Sequence, residues 1–176
     1  MLYDELYEIA ADNHGIVTSA QAKEAGATDR SLCGMVASGR LARLGRGVYR
    51  VRHHVPGPAD PYAEAVALAG EGAYLYGESV LAMLGLAPTD PSAIWVATPR
   101  RVRRDLPAGL RVVRRKGGGD ETVYDGVASQ TAEGAIRSME GLIPRDRLAE
   151  AVRRASEEGY LLPQAARSLE KEVLGR

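Results

Sequence analysis

Hydrophobic residues recur at helical spacing over the first dozen positions of the chain. Leu2, Leu6, Ile9 and Ala10 would share one face of a helix, while acidic side chains occupy the opposite side. The pattern stops near residues 13–15, where a glycine can end a helix. It therefore predicts a first amphipathic helix.

Two shorter helical segments follow, and each is preceded by a hydroxyl residue and followed by a glycine. Thr18 or Ser19 can cap a second helix over about residues 20–25. Thr28 can cap a third helix over about residues 29–38, whose apolar side chains at 32, 35 and 36 share one face. A short turn with a glycine between them is typical of a helix-turn-helix.

The next apolar runs predict a hairpin. Leu41–Leu44 and Val48–Val51 flank the turn sequence Gly45-Arg46-Gly47, and Ile16-Val17 forms a separate short extended piece. Three short helices and a hairpin within about 50 residues are typical of a winged helix-turn-helix. In that arrangement the third helix lies in the major groove of DNA and the hairpin is the wing.

Three prolines and a glycine within residues 53–61 interrupt the helix and strand patterns. We therefore place a linker at about residues 54–60. It divides the chain into a winged helix-turn-helix DNA-binding domain over residues 1–54 and an α+β domain over residues 60–176. Each is expected to have its own core and to fold alone.

The second half alternates between the two patterns. Helices are predicted at about 61–69, 78–84, 131–140, 145–158 and 163–173, and strands at about 72–76, 93–98, 110–115 and 122–128. The fold class is α+β: an N-terminal winged helix-turn-helix followed by a small mixed α/β domain with a helical C-terminal tail.

Charge is informative only through its distribution, because the chain has 23 basic and 23 acidic residues. Between residues 30 and 54 every formally charged side chain is an arginine, as phosphate binding requires. The alternative is a solvated hairpin that is merely rich in arginine. The predicted DNA-binding set combines these arginines with small and polar positions of the third helix: Thr28, Arg30, Ser31, Gly34, Ser38, Arg40, Arg43, Arg46, Arg50 and Arg52.

A second basic run covers residues 100–116, where Asp105 is the only acidic side chain. It is either a second surface for nucleic acid or an acidic partner, or an exposed sheet edge protected by charge. The sequence leaves both open. Its candidate members are Arg100, Arg101, Arg103, Arg104, Arg114 and Arg115, with Arg111 and Lys116 beside them.

Residues suited to catalysis or metal binding do not converge. Cys33 lies on the third helix and is interpreted as a small packing residue. His14 falls at a helix end, and the adjacent His53 and His54 fall in the linker, where we expect solvated side chains rather than metal ligands. We therefore predict no metal, no cofactor and no enzymatic activity.

A nuclease is the weaker alternative. It would pair Asp120 or Glu121 with Lys116 around a metal, but these carboxylates cluster in one turn beside Gly117-Gly118-Gly119. The sequence also lacks a signal peptide and an apolar run of about 20 residues. Together with a single cysteine, this predicts a cytoplasmic protein without membrane contact.

Several segments together resemble AbiEi-type antitoxins of abortive-infection type IV toxin–antitoxin systems. Gly39-Arg40-Leu41 and Leu44–Tyr49 are similar to the winged N-terminal domain of that family. Residues 76–86 resemble the segment that opens its second domain, and Ile94–Ala97 and Asp125–Ser129 resemble its strands. The resemblance covers nearly the whole chain through loose motifs.

The resemblance implies an autorepressor and antitoxin in a phage-defence operon. Its partner would be a nucleotidyltransferase-like toxin that is opposed without a stable complex. Because one winged helix covers only one major-groove segment, we expect a homodimer to bind double-stranded DNA at inverted repeats of its own promoter. The family often carries an Arg-Thr-hydrophobic-hydrophobic-Asp stretch. Here Ser129–Ile136 keeps Thr131 but lacks the arginine and the aspartate. A stand-alone winged-helix regulator is the alternative.

Overall fold

The structure, a computed structural model, describes residues 1–88, 91–117 and 119–175. The first part of the chain contains α1 Leu2–Ala11, β1 Ile16–Thr18, α2 Ser19–Glu24, α3 Asp29–Ala37, β2 Leu41–Gly45 and β3 Val48–Val51. The second part contains α4 Asp60–Ala69, β4 Tyr74–Leu75, α5 Glu78–Met83, β5 Ile94–Thr98, β6 Leu110–Arg114, β7 Glu121–Tyr124, β8 Val127–Gln130, α6 Ala132–Ser138, α7 Arg145–Glu157 and α8 Pro163–Leu174.

Side-chain caps determine where α2 and α3 begin. The hydroxyl of Thr18 accepts the backbone N–H of Gln21, whose side-chain oxygen accepts the N–H of Thr18 in return. Thr28 and Ser31 exchange the same pair of hydrogen bonds at the start of α3. These capping boxes satisfy backbone donors that a helix leaves free. Gly26, with φ +89°, lies in the tight turn between the two helices.

A three-stranded antiparallel sheet, in the order β1-β3-β2, completes the winged helix. The extended piece at residues 16–18 is its third strand and pairs with β3. Leu6, Val17, Leu32 and Leu41 form a buried core between this sheet and the first three helices, and Met35 packs against it. The predicted winged helix-turn-helix is confirmed, including the core-facing side of α3.

The second sheet has five strands in the order β6-β5-β4-β8-β7. β5 and β6 run parallel, as do β4 and β8, whereas the β4–β5 and β7–β8 pairs are antiparallel. The prediction of one strand over residues 122–128 is wrong. Asp125 and Gly126 both have positive φ and form a two-residue turn between β7 and β8, as an Asp-Gly pair favours.

The C-terminal helices provide most of the core of the second part. Leu81, Ile136, Leu148 and Leu169 are buried in one cluster with Leu75 of the sheet. The α+β class is therefore confirmed, and the helical tail is packed into the fold. No helix within the described residues is long and apolar enough to cross a membrane.

A third hydrophobic cluster joins the two sheets. Ile16 and Val48 of the wing sheet are buried together with Leu68 of α4, Val96 of β5 and Leu110 of β6. The proline-rich segment at residues 54–60 therefore connects parts that pack against each other. The division at this segment into two independently folding domains stays a prediction.

Asp60 makes polar contacts across this junction. Its carboxylate is 7% exposed, with Oδ2 2.6 Å from His54 Nε2 and Oδ1 3.3 Å from His14 Nδ1. The other ring nitrogen of His14 lies 2.6 Å from the backbone oxygen of Asp125 in the β7–β8 turn. The prediction of solvated linker histidines is wrong for His54, because a buried carboxylate must be hydrogen-bonded.

These contacts also shift the pKa of the Asp60 carboxyl. Burial acts to raise the pKa of this carboxyl, but the hydrogen bonds from His54 and from the backbone of Gly57, together with the nearby His54 and His14, lower it. The charged form of Asp60 is therefore stabilised in the folded chain. Within the described residues, these groups do not form a cluster of three or more possible metal ligands.

Candidate nucleic-acid interface

The outward face of α3 has the features of a recognition helix. Arg30, Gly34 and Ser38 are exposed, as predicted, whereas Leu32 on the opposite side is buried. No atom approaches within 4 Å of the position that a Cβ of Gly34 would take, so this face is open. Because its outward side chains are small apart from Arg30, α3 can approach the edges of base pairs closely.

Cys33 lies on the same exposed face. The interpretation of Cys33 as a packing residue is wrong, because Leu32 and its neighbours at 35 and 36 occupy the side of α3 that faces the sheet. One residue further along a helix turns the side chain by about 100°. Cys33 is thus an outward position that the sequence analysis did not assign to the interface.

The two hydroxyls predicted at the start of α3 have a local structural role. Ser31 Oγ donates to the carbonyl oxygen of Thr28 at 2.8 Å, besides its part in the capping box. Thr28 and Arg30 are exposed, and Ser31 is half-buried. These hydrogen bonds cap the amino terminus of α3 immediately beside Arg30.

Strand alternation separates the arginines of the wing. Arg43 lies two residues from Leu41 on β2, on the sheet face that packs against α1–α3, and its exposed side chain extends beyond the core. Arg46 is exposed in the turn between β2 and β3, where Gly47 adopts φ +73°. Both side chains are therefore accessible to a ligand.

Arg50 occupies the opposite face of the same sheet, which α4 covers. Its Nη1 lies 3.2 Å from the carboxylate of Glu64 on α4, and its Nε and Nη2 are enclosed without a hydrogen-bond partner in the described residues. It pairs across the sheet with Ile16 and Ala42. The structure does not bring Arg50 to the predicted interface, because the period of two along β3 directs it to α4.

Arg40 and Arg52 lie at the base of the wing. The guanidinium carbon of Arg40 is 5.7 Å from the centroid of the Tyr3 ring, and Arg52 Nη1 donates to the carbonyl oxygen of Gly39 at 3.5 Å. Both side chains are exposed. They flank the point where α3 leads into β2.

The structure divides the second predicted basic surface. Arg100, Arg101, Arg103 and Arg104 line one concavity together with Arg46 of the wing. In contrast, the other two predicted members are not among its lining residues: Arg114 is exposed at the end of β6, and Arg115 is half-buried.

Arg115 belongs to a polar network within the second part. Its Nη1 lies 3.4 Å from Asp120 Oδ2, and its guanidinium is 5.2 Å from the centroid of the Tyr76 ring. Burial acts to lower the pKa of Arg115, but the neighbouring Tyr74, Asp120 and Tyr76 raise it. This arginine therefore stabilises the fold as a permanent cation.

Comparison with known proteins gives a match to a family model, in the N-terminal part of the chain. Residues 4–52 match a sequence model of the family described as transcriptional regulator, AbiEi antitoxin. The predicted resemblance to AbiEi-type antitoxins is thus confirmed over the winged helix, which contains the whole predicted DNA-binding set. No curated protein matches the chain.

Among solved structures, the chain is similar to the RV2827C protein from Mycobacterium tuberculosis. The TM-score is 0.47 and the sequence identity 16%, over 96% of this chain and 80% of that chain.

Proposed function

We propose that the protein is a DNA-binding transcriptional regulator that represses its own operon and acts as the antitoxin of a type IV toxin–antitoxin system. The observation that carries this proposal is the winged helix over residues 4–52, with the exposed outward face of α3 and the exposed Arg43 and Arg46 of the wing. The family described for these residues supports both regulation and an antitoxin role.

DNA binding would use both parts of the winged helix. α3 enters the major groove, where Arg30 near its amino terminus reaches the base edges. Arg43 and Arg46 contact phosphates or the adjacent minor groove from the wing. Since one winged helix covers only one groove segment, we propose that two copies bind an inverted repeat as a homodimer.

This proposal is tested by the affinity of the full chain for the promoter of its own gene. We expect a gel shift on the promoter at a much lower protein concentration than on scrambled DNA of equal length and composition. Moving the two half-sites apart by about half a helical turn should remove the advantage, because a symmetric dimer requires a fixed spacing. Equal affinity for promoter and scrambled DNA would exclude a specific repressor.

Antitoxin activity is proposed for the part of the chain after the wing. A nucleotidyltransferase-like toxin encoded beside this gene would be opposed without a stable complex. The alternative is a stand-alone regulator, favoured if no such gene is adjacent. We expect that co-expression of the full chain restores growth of cells that produce the toxin, and that Arg30→Ala, which weakens only DNA binding, still restores it. Failure of the wild-type chain to rescue growth would favour the stand-alone regulator.

We propose no catalytic activity for the protein. The nuclease alternative would use Asp120 or Glu121 with Lys116. The Oδ2 of the Asp120 carboxylate accepts a hydrogen bond from Gln130 Nε2 at 2.7 Å and lies 3.4 Å from Arg115. This use of the carboxylate in the fold supports a structural role rather than metal-assisted cleavage.

A further inference from the structure

The wing turn and the segment between β5 and β6 form a single basic concavity of about 450 Å³. Five arginines line it, although Arg46 and the segment that begins at Arg100 are far apart in sequence. Glu71 is the only acidic residue among its lining residues in the described chain. The arginines are Arg46, Arg100, Arg101, Arg103 and Arg104.

Arg104 fixes these two segments together. Its Nη1 donates to the carbonyl oxygen of Arg46 at 3.4 Å, and its Nη2 donates to the carbonyl oxygen of Ala69 at 3.1 Å. A Cβ at Gly70, which has φ +106°, would collide with the Arg104 guanidinium. Arg104 is therefore a positioning residue that holds residues 100–103 beside the tip of the wing.

The remaining guanidinium groups are weakly neutralised. Arg100 Nη1 lies 2.8 Å from Glu71, but the two side chains are 72% and 81% exposed, and an exposed ion pair contributes little. Within the described residues, Arg46, Arg101 and Arg103 take part in no ion pair. Several like charges around one concavity create a positive potential that favours an anion, and the planar guanidinium fork matches phosphate oxygens.

We propose that this concavity binds backbone phosphates of the same DNA duplex that the winged helix engages. The proposal rests on the proposed DNA binding and extends it, because it assigns DNA contacts to the part of the chain after the wing. The concavity includes Arg46 of the wing turn, and this continuity with the wing favours duplex DNA over a separate acidic protein. A wing tip that meets the minor groove lies beside phosphates on both strands, and Arg104 attaches residues 100–103 to the carbonyl of that tip.

The test compares two charge-matched variants of the full chain on promoter DNA. Arg101→Gln/Arg103→Gln removes two cations at the concavity, and Arg145→Gln/Arg147→Gln removes two exposed cations from α7. Affinity is measured at several salt concentrations between about 50 and 200 mM. Hydroxyl-radical footprinting then maps the protected backbone.

For Arg101→Gln/Arg103→Gln we expect the slope of log affinity against log salt to fall in magnitude by about two. Across this salt range, the variant should lose roughly tenfold less affinity than the wild type. Protection of the backbone beside the wing should shrink, while the preference for promoter over scrambled DNA is kept, because phosphates carry no sequence information. The α7 variant should retain the wild-type slope and footprint.

If Arg101→Gln/Arg103→Gln left both the salt dependence of the affinity and the footprint unchanged, the proposed phosphate-binding site would be refuted. If that variant also failed to oppose the toxin, the concavity would instead serve an acidic protein partner. Equal changes of the salt dependence in the concavity variant and the α7 variant would also refute the site, because the effect would then come from net charge alone. If the wild-type chain binds no DNA, the proposed function itself fails. The wild-type measurement therefore tests DNA binding, and the comparison of the variants tests the concavity.

Discussion

Replacing Asp60 by alanine is expected to lower the free energy of unfolding by about 3 kcal/mol, because two hydrogen bonds to a charged carboxylate, each typically contributing about 1.5–3 kcal/mol, are lost. The side chains of Asp60, His14 and His54 are each at least four-fifths enclosed. Removing the carboxylate leaves two imidazoles without their shared acceptor at the junction of the two sheets. Urea denaturation followed by circular dichroism measures the loss. Asp125→Asn is the matched control, because only the backbone oxygen of Asp125 contacts His14.

The pH dependence of stability provides a second measurement of the same contact. A carboxyl with a lowered pKa in the folded state stabilises the protein above its unfolded pKa of about 4, and this contribution is lost as the pH falls through the folded pKa. The wild-type chain should therefore lose more stability than Asp60→Asn on acidification below about pH 4. Stability of Asp60→Ala equal to that of the control variant would show that this contact is not important for the fold.

Replacing Arg30 by alanine is expected to weaken promoter binding by about 1–3 kcal/mol, with a smaller effect on scrambled DNA. The reason is that Arg30 is the one arginine on the exposed face of α3 and stands near its amino terminus. Fluorescence anisotropy with both DNAs at one fixed salt concentration measures the two affinities.

Arg50→Gln is the informative control for this experiment. Both changes remove one positive charge from the winged helix, but Arg50 faces α4 and pairs with Glu64. We expect Arg50→Gln to lower the free energy of unfolding and to keep promoter affinity close to that of the wild type. If Arg50→Gln weakened promoter binding as much as Arg30→Ala, with stability unchanged, the recognition face would lie elsewhere on the chain.

Local interactions explain why so much of the fold was predictable from the sequence. The predicted helix over residues 29–38 is observed as Asp29–Ala37, and its cap at Thr28 is confirmed. Hydroxyl caps, glycine stops and apolar spacing act between residues three or four positions apart, so they are visible without the tertiary structure. Apolar spacing also predicted α7 and α8 to within one residue at either end, although neither helix begins with a hydroxyl cap.

Signals that compete within one short segment were harder to interpret. The run from 122 to 128 has the composition of a single strand, but Asp125-Gly126 in its middle is also a hairpin turn. Cys33 was interpreted as a packing residue because free cysteine is usually buried. On α3 the packing of Leu32 against the sheet decides the orientation of the helix, and this directs Cys33 outward.

By itself, the sequence determined the winged helix, the α+β class and the concentration of arginines in two stretches. Only the tertiary structure decided which arginines act together. In the folded chain Arg50 lies on the face of the wing sheet that α4 covers, and Arg104 donates a hydrogen bond to the backbone of Arg46. Asp60 is enclosed between His14 and His54. The physical reason is that spacing along a helix or strand specifies the face on which a side chain lies, whereas long-range packing of α4 and the β5–β6 segment against the wing determines what each face meets.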